Sequence, residues 1–148
     1  MVTAIVIGYG NELRGDDAIG QQVANTIKHW HLSSVQSIAV HQLTPELSEN
    51  LANSQLAIFV DACINSQFGE VQVQSLLPCE SSYIDAHISD PRSLLALSQF
   101  LYGHCPPAWL ITVPGVNFEL SDRLSPTAEK AMAIALSKIM QILDQNPR

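Results

Sequence analysis

The segment Gly8-Tyr9-Gly10-Asn11-Glu12-Leu13-Arg14-Gly15-Asp16-Asp17 combines glycines, which let a backbone turn sharply, with two adjacent carboxylates. It begins like a nucleotide-binding turn, but Leu13 occupies the position of the third glycine in G-x-G-x-x-G, so the dinucleotide fingerprint fails. Gly10 and Gly15 keep the spacing of a phosphate-cradling loop, yet Asp16 takes the place of its lysine and Asp17 follows. Two carboxylates repel a phosphate. The same geometry with the opposite charge suits a cation, and oxygen ligands on a loop tied to a strand make a plausible half of a metal site.

A plainer role for either aspartate is to cap the helix that follows, where a carboxylate meets free amides and the helix dipole. Asp61 argues against that being the whole story. It directly follows the apolar run Ile58-Phe59-Val60, and a carboxylate at the carboxyl end of a central strand is costly to bury without a partner. That is also the edge at which the Asp17 loop emerges, so capping cannot account for both residues. His87 is the other good ligand in a long loop able to reach this edge. Two carboxylates and a neutral imidazole would balance a divalent ion and suit zinc, nickel, manganese or iron.

The remaining reactive side chains are weaker candidates. His29 and His31 flank Trp30 near a helix end, where interaction with the helix dipole is sufficient reason for them. His104 lies in a Gly103-His104-Cys105-Pro106-Pro107 turn, and His41, ending the second strand, is a second-tier site candidate. Cys63 stands two residues from Asp61, but a reactive thiolate needs a cationic or helix-N-terminal setting, so packing is its expected role. There is no G-x-S-x-G elbow to support a hydrolase serine.

Positioning these residues requires strands alternating with helices. Residues 3–7 read as a strand ending at glycines, and residues 18–30 as a helix with Ile19, Val23 and Ile27 on one side. A strand over 34–41, a short helix over 45–52 with Pro45 in its first turn, and a buried strand over 56–60 follow. Residues 70–76 alternate, with Val71 and Val73 on one side, as for a strand at a sheet edge. Asp90-Pro91 starts a helix running to about Tyr102, and residues 109–113 make a last buried strand. Ser125-Pro126 starts a C-terminal helix with Ala131, Ile134, Ala135, Ile139 and Ile142 on one face. The order implies an α/β layer fold with a mostly parallel sheet, as one domain over residues 1–148.

Composition narrows the function. Of 148 residues 14 are acidic and 7 basic, a net charge of −7 without a basic cluster, which argues against nucleic acid as a partner. Three widely spaced cysteines form no disulfide framework or CxxC motif and suit a reducing compartment. The first apolar run breaks at Gly8, far short of a membrane span, so the expected location is the cytoplasm, without membrane association.

In these features the chain resembles the hydrogenase maturation endopeptidases, which process the large subunit of nickel-iron hydrogenases. The likeness rests on GYGNELRGDDAIG at residues 8–20, VDA at 60–62, His87 followed by Pro91 and Leu94-Leu95, and LSP at 124–126. It implies a three-layer α/β/α fold with a twisted, mostly parallel five-stranded sheet. It also implies a metal-recognising triad of Asp17, Asp61 and His87, the residues already singled out by charge. Relatives remove a C-terminal extension from the large-subunit precursor after nickel insertion, so nickel would come from the substrate and no permanent cofactor is expected. Two departures stand out. Ala18 replaces a glycine common after the paired acids, and His41-Gln42-Leu43-Thr44-Pro45-Glu46 stands where many relatives have an Asp-Gly pair. This suggests different substrate choice, and the pattern suits the branch serving bidirectional, soluble hydrogenases.

The expected activity is that of a metal-dependent, aspartic-type endopeptidase acting on one protein substrate, with Asp17, Asp61 and His87 binding the precursor's nickel and water attacking the scissile bond. Two rivals stay open: a noncatalytic metal-sensing maturation chaperone, and a self-sufficient zinc hydrolase acting on small peptides or amides.

Overall fold

The structure, a computed structural model, describes residues 3–63, 69–79 and 90–145. Its apolar runs form strands β1 (Ala4–Tyr9), β2 (Val35–Val40), β3 (Ala57–Cys63), β4 (Gln72–Leu76) and β5 (Ala108–Pro114). They lie in one sheet in the order β2-β1-β3-β5-β4. All neighbours are parallel except β4, which runs antiparallel to β5 at the edge. Side chains alternate across a strand, and both faces of the central strands are covered. Val6, Ile58, Val60 and Ile111 pack with helices α1 (Ile19–His29) and α4 (Pro126–Gln145). On the other face Ile5, Ile7 and Phe59 pack with α2 (Leu47–Ala52) and α3 (Pro91–Tyr102). The result is the expected three-layer α/β/α arrangement with a mostly parallel five-stranded sheet.

Several boundaries move for identifiable reasons. β3 runs past Val60 to Cys63 because β5 continues beside it, with Asp61 opposite Thr112. β2 begins at Val35 because Ser34 has a φ of 61°, outside the strand region. Pro45 belongs to the turn before α2, where Leu47 and Ser48 amides donate to the Thr44 and Pro45 carbonyls, so it is not in the helix's first turn. The alternating β4 leaves Val73 39% exposed, because edge position rather than burial governs that strand. Ile134 is 50% exposed. At about 100° per residue it lies roughly 95° round the helix from the centre of the stripe formed by Ala131, Ala135, Ile139 and Ile142.

The approach of α1 to the sheet explains how the first loop reaches the ends of two strands. A Cβ added to Gly20 would lie 2.7 Å from the Val60 carbonyl oxygen and 2.8 Å from the Tyr9 nitrogen. A Cβ on Gly8 would overlap the Gly20 carbonyl and lie 2.9 Å from the Ala24 Cβ. Helix and strand therefore meet backbone to backbone. In an ordinary helix Gly→Ala stabilises by up to about 1 kcal/mol. Here Gly20→Ala is expected to destabilise by about 2 to 3 kcal/mol, because overpacking forces the backbones apart. Urea denaturation gives the sign directly.

Candidate functional site

The loop after β1 is held by its own polar groups. The Gly10 amide donates to the Val40 and His41 carbonyls, each at 3.2 Å, and Gln21 Nε2 donates to the Gly10 carbonyl at 2.7 Å. Asn11 Oδ1 accepts from the Leu13 amide at 2.9 Å, setting the next turn. Residues Gly15–Ala18 then form one 3₁₀ turn leading into α1, an element not foreseen from sequence. Asp16 and Asp17 sit side by side in that turn, and neither caps α1, whose N-cap residue is Ala18 without a side-chain cap.

The two aspartates face different partners. Asp16 is fully buried. Its Oδ2 accepts from the Val116 amide at 2.7 Å, the Asn117 amide at 3.0 Å and the Ser125 hydroxyl at 2.7 Å, while Oδ1 accepts from the Ser125 amide at 2.7 Å. Ser125 Oγ in turn accepts from the Ala128 amide at 3.1 Å, the N-cap bond of α4. Asp16 is thus a structural clamp joining the first loop, the loop after β5 and the start of α4. Burial opposes its ionisation, but the hydrogen bonds from Ser125, Asn117 and Val116 prevail and hold its carboxyl below the usual range.

Such a depressed carboxylate contributes stability that is present above the unfolded-state pKa and lost as pH falls through the lower folded-state pKa. Asp16→Ala would strand several buried donors and is expected to cost about 4 kcal/mol at neutral pH. Thermal melts of the variant across the acid range check both the size and the pH sense.

Asp17 turns the other way. Its Oδ2 accepts from the Asn11 amide at 2.8 Å, closing the loop. Asp61 stands at the carboxyl end of β3, partly buried, with Oδ1 accepting from the Ala62 amide at 2.8 Å. Burial and, to a lesser extent, the charge of Asp17 push the Asp61 carboxyl up to about 6, against the opposing hydrogen bonds from the Ala62 amide and the Tyr9 hydroxyl. Burial likewise drives the Tyr9 phenol above its ordinary range, with Asp61 beside it adding to the effect. Tyr9 therefore remains a hydroxyl donor at working pH. Asp17 in the 3₁₀ turn and Asp61 at the end of β3 sense each other's charge, an arrangement that attracts a cation.

His87 lies outside the described residues. Among the described residues no group of three or more His, Cys, Asp or Glu side chains gathers to hold a metal ion. His41 is exposed at the end of β2, and its carbonyl helps seat Gly10. His104 Nε2 lies 3.0 Å from the Ser54 carbonyl, a contact far along the chain that ties α3's exit to the α2–β3 turn. Cys63, Cys79 and Cys105 are free thiols. Ala18, at φ −77° and ψ −7°, is in ordinary helical conformation, so this turn does not require a glycine there.

Tyr9 was not singled out by residue type. The signal for it lies in register: Gly8 pairs with Val60, so the next residues of β1 and β3, Tyr9 and Asp61, emerge together.

Comparison with protein-family models and with curated sequences finds no match. Comparison with solved structures finds clear ones. The hydrogenase maturating endopeptidase HybD from E. coli is 22% identical, with a TM-score of 0.76, covering 97% of this chain and 93% of that one. The hydrogenase 2 maturation peptidase from Thaumarchaeota archaeon SCGC_AB-539-E09 is 22% identical at a TM-score of 0.71, covering 96% and 98%. The [NiFe] hydrogenase maturation protease HycI from Thermococcus kodakarensis KOD1 is 21% identical at 0.72, covering 97% and 93%. A hydrogenase 3 maturation protease also matches, so the likeness assigns no branch. Over nearly its whole length, the chain has the fold of hydrogenase maturation endopeptidases.

Proposed function

We propose that this protein is an endopeptidase that removes the C-terminal extension from a nickel-loaded nickel-iron hydrogenase large-subunit precursor. The observation carrying this reading is the pair Asp17 and Asp61, held at one sheet edge with Asp61 forced up to about 6 by burial and by its neighbour's charge. A cation entering between them relieves that repulsion. In this reading the cation is the precursor's own nickel, and His87 supplies the third ligand; the protein carries no permanent cofactor. The fold shared with maturation proteases supports the reading.

Docking nickel on the carboxylates fixes the adjacent peptide bond against the loop edge. Such positioning contributes much of a rate enhancement by replacing an encounter with a held geometry. Water attacks the carbonyl carbon, the C–N bond breaks, and the new amine leaves with a proton, releasing the tail. Tyr9 and the Ala62 amide keep the Asp61 carboxylate oriented throughout. The reaction belongs to the cytoplasm in this account. Among the described residues no helix is long and apolar enough to cross a membrane.

Incubating the purified protein with nickel-loaded precursor and weighing the products tests the reading. The expected result is a shortened large subunit and a released peptide. An unchanged mass with a stable complex would instead identify a metal-sensing chaperone.

A further inference from the structure

Edge strand β2, helix α1 and the turn joining them enclose a groove of about 600 Å³, lined by Asn25, Lys28 and His31 from the helical side and by Ser37, Ile38 and Ala39 from the strand. One wall of it is unused backbone. The Ala4 amide donates to the Ser34 carbonyl and the Gly10 amide to the Val40 carbonyl, each at 3.2 Å. In this parallel ladder the even-numbered residues of β2 therefore turn their N–H and C=O groups toward β1, and the odd-numbered ones turn theirs away from the sheet. The Val35 amide is taken by the Leu32 carbonyl at 3.3 Å. Because β2 is last in the strand order, Ser37 and Ala39 keep outward groups that no described strand pairs.

The strand also lacks the usual guards of an exposed edge. Val35–Val40 reads VQSIAV, without lysine or proline, in unbroken register with β1. Such an edge adds an extended peptide through main-chain hydrogen bonds. Charge selects the peptide. Among the described residues no Asp or Glu lines the groove, although the chain as a whole carries a net charge of −7. Its ionisable side chains are Lys28 and His31, both exposed and both placed where α1 ends and β2 begins. The groove is uncharged along β2 and basic at the strand's amino end, a pattern complementary to a chain terminus that ends in a carboxylate.

Resting on the endopeptidase reading, we propose that this groove takes the precursor's C-terminal extension as an added strand antiparallel to β2, with Lys28 and His31 receiving its terminal carboxylate. In that reading the scissile bond lies at the carboxyl edge beside Asp61, and Lys28 stands at the opposite edge of the sheet. A tail joining the two runs against β2. With neighbouring strands about 4.8 Å apart, the added strand lies about 14 Å from β3. At about 3.3 Å per residue, about four residues cross that gap and about six follow β2, so an extension of about ten residues reaches Lys28. Lys28 acts in specificity and does not touch the reacting atoms.

The test compares cleavage and binding of nickel-loaded precursor by the wild-type chain, Lys28→Glu and Ala39→Pro, and repeats both with a precursor carrying a pair of extra lysines at its C-terminus. Proline at position 39 removes an outward N–H and leaves the ladder to β1 whole; melting temperatures check that both variants stay folded. Each variant is expected to raise KM for the natural precursor by about fivefold or more, with kcat within about twofold. The lysine-tailed precursor should reverse the preference, binding poorly to the wild-type chain and better to Lys28→Glu. A residue that only supports the fold cannot produce that exchange. Unchanged KM in Lys28→Glu, or no exchange, would overturn the proposal, as would normal KM in a folded Ala39→Pro. A dimer of the free wild-type chain in sedimentation, abolished by Ala39→Pro, would give the edge to a second copy and overturn it too. Precursor binding that shows the exchange but yields no cleavage would keep the groove and reject the protease reading. No binding by the wild-type chain would reject both.

Discussion

Replacing Asp61 with asparagine is expected to abolish processing while leaving the protein as stable as before, or more so. Loss of activity should be on the order of 10²- to 10³-fold or more, the lower range being the scale seen when a site loses one electrostatic contact that acts in the transition state. Stability should move the other way. Asp61 titrates at about 6 in the folded protein against an ordinary value of 3.8. A folded pKa above the unfolded one means that the native state binds the extra proton, so the ionised group is a penalty. That penalty is absent below the unfolded value, grows between the two, and is complete above the folded one.

At pH 8 the penalty amounts to at most about 3 kcal/mol. Asparagine removes the charge but keeps one acceptor of the two, so part of the gain is forfeited where the Ala62 amide and the Tyr9 hydroxyl now bond. The expected outcome is a melting temperature equal to wild type or higher by up to about 5 °C at pH 8. The difference should shrink as the pH falls toward 4. Paired melts across that range decide the matter. A large loss of stability at every pH would make Asp61 a structural residue, and loss of activity would then say nothing about chemistry.

The second large effect concerns the metal. Two carboxylates and one imidazole, with no thiolate, bind a borderline ion less firmly than a cysteine-rich centre does. Under the proposed function, such a site would test for nickel held by the precursor without extracting it. Protein purified without added metal is expected to contain well under one equivalent of nickel or zinc. Nickel-loaded precursor should be cut to completion under conditions in which nickel-free precursor is not cut measurably. Elemental analysis paired with mass spectrometry of both digests gives the answer. Efficient cutting of nickel-free precursor by protein holding a full equivalent of zinc would replace this mechanism with that of a self-sufficient hydrolase.

The layer order, the parallel sheet and the edge position of β4 were legible because they rest on hydrophobic periodicity. That signal is written in consecutive residues, and burial acts on it directly. The expectation for the first loop rests on a different kind of signal: the order of glycines and acids argues against an anion whatever the surrounding fold. What stayed hidden depends on who meets whom across the chain. Asp16 and Asp17 are the same residue type at successive positions, and sequence gives no reason to send one inward and the other toward Asp61. The distinction is made by donors at Val116, Asn117 and Ser125, about a hundred residues away. Tyr9 was overlooked likewise, because its importance comes from strand register. Ile134 satisfied the apolar pattern yet lies off the buried stripe, a difference of angle that counting apolar residues does not resolve.

The clamp at Asp16 also bears on when the protein can become active. Its partners Val116, Asn117 and Ser125 lie about a hundred residues further along, so synthesis must have passed Ser125 before the first loop can take its final form. Closing contacts of such sequence separation is slow compared with forming local structure. During synthesis the glycine-rich turn emerges early but lacks the donors that fix it, and the carboxylates beside it have no settled geometry. A chain assembled in this order does not fix the geometry of its first loop as a fragment. Chains that stop short of Ser125 lack the donors that fix the turn, and the clamp closes only with the start of the C-terminal helix.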